Sequence, residues 1–382
     1  MKRHYITPRP NWQETLERMG FGYHSVDGNY WQENAYYAFD STQIDTLEQA
    51  TQELHAMYLQ VIAHVVKTGD YERLGLSKLQ ARLIERSFLA NEPCLYGRFD
   101  LSYDGVGVPK LLEYNADTPT SLFEASVAQW YWLKDRPELA RHADQFNSIH
   151  ERLVLAWQAL HKSQHWERVH FTAVGQSLED WVTCRYLQDT AIQAGLDTQF
   201  LDIGGIGHDG TGFVDLANEP IDVLFKLYPW EWLTDEPFSQ HLETADTQWL
   251  EPAWKLLLSN KAMLALLWEM FKGHPNLVPC YFTADDLGTR YVKKPFFSRE
   301  GANVSLIDGD TKEHTQGEYG AEGHVYQALA PLPKFTNHQG QTVYAVIGSW
   351  MVEHMPAGIG IREDSSLITQ DTSLFVPHIF VD

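Results

Sequence analysis

The chain has 382 residues, room for two or three lobes around a large core when single domains run to roughly 100–200 residues. Hydrophobic residues make up 44% and charged residues 21%, an ordinary globular balance, and a net charge of −22 argues against a nucleic-acid backbone as partner. The acidic surface fits a cationic substrate such as an amine, and equally a plain solvated surface.

In chain order, the opening MKRHYITPRPNW has no apolar segment and does not read as a secretion signal. Residues 42–68 keep apolar side chains at helical spacing (Leu47, Leu54, Tyr58, Val61, Val65) and stop before Gly69. Residues 97–121, GRFDLSYDGVGVPKLLEYNADTPTS, then read as a β-hairpin turning at Asp104-Gly105. Helices are expected at 122–133 and 144–161. From Val169 the texture becomes α/β: VHFTAV, TQFLDI and IDVLFKLY are strands, with a helix over 177–195 opened by a capping box of Ser177 and Asp180. A helix over 254–271 leads into YVKKPFF, ANVSLID, HVYQALA, VYAVIGSWMVEH and GIGIRED, strand-like runs joined by Gly-rich turns. A helix followed by antiparallel strands is an α+β pattern. The most apolar helical stretch, LLLSNKAMLALLWEMF, is short and carries Lys261, which argues against a membrane span or membrane partner. Cys94, Cys184 and Cys280 lack metal-type spacing and cannot all pair with one another, which suggests a reducing compartment and cytoplasmic residence.

Within the hairpin, Arg98 and Asp100 are two apart, as are Glu113 and Asn115, so each pair shares one face of its strand. A turn at Asp104-Gly105 sets position 98 opposite 113, and Asp100 opposite Lys110 or Leu111. Two carboxylates and an amide oxygen are hard ligands suited to Mg²⁺ on a nucleotide phosphate, and an adjacent arginine suits a transferring phosphoryl group. The same four residues also read as a solvated face with a salt bridge.

Gly205–Gly210 matches GxGxxG, but turn and strand material follows it where a helix is needed, so it reads as a Gly-rich hairpin turn. KKPFFSREGAN (293–303) places lysines at a strand end before a small-residue loop, which suits either a phosphate-covering loop or a basic strand edge. GIGIRED puts Arg362 and two carboxylates at a strand end. FKLYPWEW offers aromatics and Glu231 to a cation, or to core packing.

Taken together and in order, GRFD…EYNAD, SNKAML, YVKKPFFSREGANV, the Tyr326-Gln327 strand, YPWEW and GIGIRED resemble the synthetase domain of glutathionylspermidine synthase, over residues 12–381. The resemblance implies an α+β ATP-grasp fold with a pre-ATP-grasp-like α/β unit. Its expected divisions are 1–165 (N-terminal helices and the ligand-bearing hairpin), 166–250 (the α/β substrate unit) and 251–382 (the nucleotide-binding lobe). It implies ATP and Mg²⁺ as cofactors, and small-molecule acid and amine substrates joined as an amide. The amidase domain fused to some members is expected to be absent. Asp100, Glu113 and Asn115 fall on the family's magnesium ligands. Arg98, Phe99, Asp100, Lys261, Lys294, Gly301, Gln327, Ala328, Leu329, Ala330, Leu367, Ile368 and Thr369 fall on nucleotide-contacting positions. Arg98, Arg299 and Arg362 match arginines around the transferring phosphate. Thr118, Thr120, Glu179, Asp180 and Leu227 fall on the substrate side, the two threonines where the family has serines and Leu227 where it has a threonine. An ATP-binding module without ligation is the alternative, and a nicotinamide oxidoreductase is a distant third.

Overall fold

A computed structural model describes residues 1–382 apart from Asp27 and Asn29. It is α+β. A six-stranded antiparallel sheet runs in the order Leu374–Val376, Met355–Asp364, Thr342–Val352, Tyr96–Ser102, Lys110–Asn115, with Lys334–Thr336 also paired to Thr342–Val352. The hairpin is thus completed by strands more than two hundred residues further along the chain. A five-stranded antiparallel sheet (Cys280–Tyr281, His324–Ala328, Arg290–Pro295, Ser305–Asp308, Thr311–His314) lies beside it. A four-stranded parallel sheet, in the order Gln248–Leu250, Val223–Leu227, Arg168–Ala173, Asp197–Asp202, forms the α/β unit with the helices Ile149–Gln164 and Leu178–Gln193.

The long helix Ser41–Thr68 begins at a capping box of Asp40 and Gln43 and ends at Gly69, which takes φ 73°. Its apolar stripe packs on the underside of the hairpin. There Phe99 stacks on Tyr114 with ring centroids 3.7 Å apart, and Tyr58 of the helix closes over both. Phe99 is therefore a core residue. The alternation that turns Arg98 and Asp100 toward the site turns Phe99 away, and its expected nucleotide contact is not made by the side chain.

The hairpin register also differs from expectation. Arg98 pairs with Asn115 and Asp100 with Glu113, with a bulge after Asp100. The connection is a loop over 103–109, in which the Asp104 carboxylate accepts the Val106 and Gly107 amides at 2.8 Å each, so the chain does not reverse on two residues. The helix expected over 254–271 is two helices, Lys255–Ser259 and Ala262–Met270. The Asn260 side chain bonds the Leu74 carbonyl and the Ala262 amide, which accommodates the break and presents Lys261. Residues 122–133 open with a π-helical turn, Glu124–Ala128, before Gln129–Lys134. Ser177 does cap its helix through the Asp180 amide at 3.3 Å, while the Asp180 carboxylate faces a cavity instead of returning the bond. Among the described residues, no helix is long and apolar enough to cross a membrane.

Candidate functional site

On the site-facing, half-buried face of the hairpin, the four residues singled out by their spacing form one network. Arg98 grips Asp100 with Nε to Oδ1 at 2.7 Å and Nη2 to Oδ2 at 3.0 Å, and donates Nη1 to the Thr120 carbonyl at 2.6 Å. Asn115 Nδ2 donates to Glu113 Oε1 at 2.9 Å and Asp100 Oδ2 at 3.2 Å. Lys261 Nζ stands 3.4 Å from Glu113 Oε2. Gly348 makes room for this: it pairs with Asp100 across the sheet, and a Cβ there would meet the Arg98 Cδ at 2.8 Å. Burial alone would raise the Glu113 carboxyl, but Lys261 and Lys294 outweigh it and hold it at about 2. Burial pushes Asp100 up in spite of Arg98.

On one side of this hairpin edge lies a slot between the two antiparallel sheets. Val292, Lys294 and Gln327 share a sheet face with Leu306, and Val304, Leu367 and Ile368 pack with Leu306 and Val292 to complete the apolar lining. Lys294 donates to Gln327 Oε1 at 2.7 Å and to the Leu112 carbonyl at 3.0 Å, and Gln327 returns Nε2 to the Leu111 carbonyl at 3.0 Å. Lys261 donates to the Ser298 carbonyl. The Phe297–Asn303 loop is held down over this end. Gly301, at φ 69°, approaches so closely that a Cβ would sit 2.6 Å from the Thr369 carbonyl.

On the other side lies a polar cavity reaching the C-terminal end of the parallel sheet, walled by Thr118, Thr120, Glu179, Asp180, Leu227, Arg299 and Arg362. Arg299 is anchored by Nε and Nη2 to Glu231 Oε1, at 3.0 and 2.8 Å, and also bonds Thr118 Oγ1. Arg362 donates to Ser121 Oγ at 2.9 Å and to the carbonyls of Ser373, Gln370 and Asp371, at 2.8–3.0 Å, pinning the segment after Thr369. Burial, then the charge of Glu124, raises Glu179 to about 8, and burial also raises Asp180 and Glu300. Slot and cavity meet at Asp100, Glu113, Gly301, Val346 and Thr369.

Apart from Phe99, every residue that the resemblance placed at a metal, nucleotide, phosphate or substrate position lines the slot or the cavity; Glu231, Lys293, Glu363 and Asp364 line neither. Among the described residues, no group of three or more His, Cys, Asp and Glu side chains gathers as a metal cage. The hairpin set is two carboxylates and an amide. Sequence reasoning missed Gly348 and Ser121, and it left Glu231 between a cation and core packing without seeing that its partner is Arg299. Gly348 of VIGSW and its cross-strand partner Gly360 of GIGIR are the signal that bulky side chains, Arg98 and Phe375, cross the sheet there.

The profile of the family described as "Glutathionylspermidine synthase preATP-grasp" matches residues 3–381. The chain belongs to that family. A protein of Haemophilus influenzae named "Putative acid--amine ligase" is 44% identical over 98% of this chain and 98% of its own length. Trypanothione synthetase of Crithidia fasciculata is 28% identical over 83% of this chain, and the bifunctional glutathionylspermidine synthetase/amidase of Escherichia coli is 26% identical over 91%. This chain spans 52% and 59% of those two longer proteins. Among solved structures, a glutathione synthetase-like effector of Globodera pallida superposes with a TM-score of 0.59 over 99% of this chain and 100% of its own, at 10% identity, a likeness of fold.

Proposed function

We propose that this chain is a magnesium-dependent ligase of ATP-grasp architecture that joins a peptide-like carboxylic acid to a polyamine-like amine through an acyl phosphate. The observation that carries the reading is the seam: Asp100 and Glu113 belong at once to an apolar slot ending in two lysines and to a polar cavity lined by arginines and carboxylates. Membership of a family whose relatives are named synthetases and ligases supports it.

The slot suits a planar base, bordered by Gln327–Ala330 and Leu367–Thr369, with phosphates running to Lys261 and Lys294. The hairpin donors fit a hard cation. Lys261 and Lys294 hold Glu113 ionised, Arg98 holds Asp100 in place, and Asn115 presents Oδ1 once its amide turns over. Asp100, Glu113 and Asn115 would hold Mg²⁺, which when bound shields phosphate oxygens from an approaching anion. Arg98, Arg299 and Arg362 surround the transferring phosphoryl group, because two anions must meet there. Thr118, Thr120 and Leu227 flank the acid. Glu179 and Asp180 face the cationic end of the amine. Its attacking nitrogen, neutral once its proton has passed to solvent, adds to the acyl carbon, and the amide forms as inorganic phosphate leaves and a further proton is released. No side-chain nucleophile is needed, and all three cysteines are free and buried. In this reading 166–250 is the substrate unit, 251–382 supplies most of the nucleotide lobe, 1–165 contributes the metal hairpin, and the protein works in the cytoplasm.

The test is a screen of acid and amine pairs, with ADP and amide both followed by mass spectrometry. One pair that yields amide with ADP is expected. ADP formation that no pair converts to amide points to an ATPase module without ligation.

A further inference from the structure

Asp117 and Lys226 are fully buried, and neither lines the slot or the cavity. Lys226 Nζ donates to Asp117 Oδ1 at 2.7 Å and to the Tyr228 carbonyl at 2.9 Å. Asp117 Oδ2 accepts the Trp230 amide at 2.8 Å, and the Lys226 ammonium lies 4.7 Å from the Trp230 ring centroid. The amides of Ala116 and Asp117 both donate to Ser259 Oγ, at 3.1 and 2.9 Å.

These few contacts join four segments, each of which delivers something to the site. The hairpin strand ends at Asn115, two residues before Asp117. The strand Val223–Leu227 ends in Leu227 on the cavity wall, next to Lys226. The turn Trp230–Leu233 carries Glu231, which anchors Arg299. Ser259 closes the helix just before Lys261. Burying a charged pair costs more than burying hydrocarbon of the same volume, so stability alone does not favour this choice. What a carboxylate adds is direction: its two oxygens fix the substrate strand and the Arg299 anchor at the same time, both relative to the metal hairpin.

We propose that Asp117 and Lys226 are a positioning pair that keeps the substrate wall and the Arg299 anchor in register with the hairpin. The proposal rests on the ligase reading above and extends it to residues that touch neither substrate nor nucleotide. Without the pair, nucleotide still binds and its phosphoryl group still departs, but the amine is misplaced and water competes. A misplacement of about 1 Å can cost on the order of 10²-fold in rate.

Asp117→Asn keeps the shape and the acceptor for Trp230 while removing the charge, and Asp117→Asn/Lys226→Met removes both charges. ADP and amide are measured side by side, with thermal melting, on a pair the unaltered protein joins. The single variant is expected to melt lower and to release several ADP per amide. The double variant is expected to recover its melting temperature and stay uncoupled, and both keep the affinity for a non-hydrolysable nucleotide. A double variant that regains stability together with one ADP per amide overturns the proposal, since the pair is then a staple only. If these variants do not fold, Ser259→Ala loosens the same corner through two amide bonds, and unchanged coupling there overturns it too. Failure of the ligase reading shows separately, as no amide from the unaltered protein with any pair. Hydrogen exchange then tests the pair alone: with a Mg²⁺–nucleotide analogue bound, equal protection of 223–227 and 297–303 in the unaltered and Asp117→Asn proteins overturns it.

Discussion

The slot and the polar cavity share one edge, yet their charges stand in opposite conditions. In the slot every charged group is already answered: Lys294 by Gln327 and the Leu112 carbonyl, and Glu113 by two lysines and Asn115, which leaves its carboxyl at about 2. In the cavity the arginines are paired, but Glu179 keeps one buried oxygen without a partner and its carboxyl rises to about 8. A preorganised slot suits a ligand whose shape does not vary, such as a nucleotide. A cavity holding desolvated carboxylates gains most from a cation that satisfies them. The difference teaches that one side is built for constancy and the other for choice. Variants at the shared edge should therefore destroy everything, while variants on either side should fail in separable ways.

The largest effect is expected at the edge itself. Asp100→Asn with Glu113→Gln removes both carboxylates common to slot and cavity, and turnover should fall by several kcal/mol of barrier, at least about 10³-fold, in a protein that still melts cooperatively. ADP formation measured beside thermal melting checks this. Near-normal turnover in the folded double variant removes the metal hairpin from the reaction.

Arg98→Ala comes next and separates rate from binding. Its guanidinium lines the cavity and not the slot. If it answers charge developing on the phosphoryl group, turnover should drop by about 10²–10⁵-fold with little change in nucleotide affinity. Lys294→Ala should do the reverse. Loss of a buried charged donor costs about 1.5–3 kcal/mol, or roughly 10–100-fold in the dissociation constant for nucleotide. Calorimetric titration with a non-hydrolysable nucleotide, set beside steady-state ADP formation, reads both. If Arg98→Ala loses binding and keeps its rate, slot and cavity have exchanged roles.

How much of this arrangement was legible follows the same divide between local and distant. Arg98, Asp100, Glu113 and Asn115 could be read because a period of two is local and their chemistry is plain. Phe99 could have been excluded by that same period, since it lies between two site-facing residues, but a motif taken as a block carries its core residue along. The register missed because the Asp104 carboxylate builds a longer loop and a bulge follows Asp100, neither of which alternation reveals. The break before Lys261 depends on the Asn260 side chain reaching the Leu74 carbonyl, 186 positions away. The Arg299–Glu231 anchor joins segments 68 apart, and Gly348 matters only because Arg98 lies across it. The α+β class emerged from the order of elements, whereas the strands Lys2–Tyr5, Ala35–Asp40 and His378–Val381 pair as a separate sheet whose short, polar-interrupted runs left no clear alternation.

The smallest effect sharpens the cavity side, and it is read as a pH dependence. Glu179 stands at about 8 against an ordinary 4.5, because burial and then Glu124 disfavour its charge. Between those values the folded protein keeps a proton that the unfolded chain has released. Its contribution to stability is therefore full below the ordinary value and is lost as pH rises through the folded one. Glu179→Gln removes this slope. The melting temperature of the unaltered protein should fall relative to that of the variant, by on the order of 2–4 °C, as pH is raised from about 5 to about 8.5. A residual slope remains in the variant, since burial raises Asp180, Glu300 and Glu124 as well. An ammonium group favours the ionised carboxylate, so the KM for the amine should also fall as pH approaches 8 in the unaltered protein and change less in the variant. Melting curves that run parallel across this range would mean that Glu179 is hydrated and already ionised, and the cavity would lose its claim to be the side that waits for a cation.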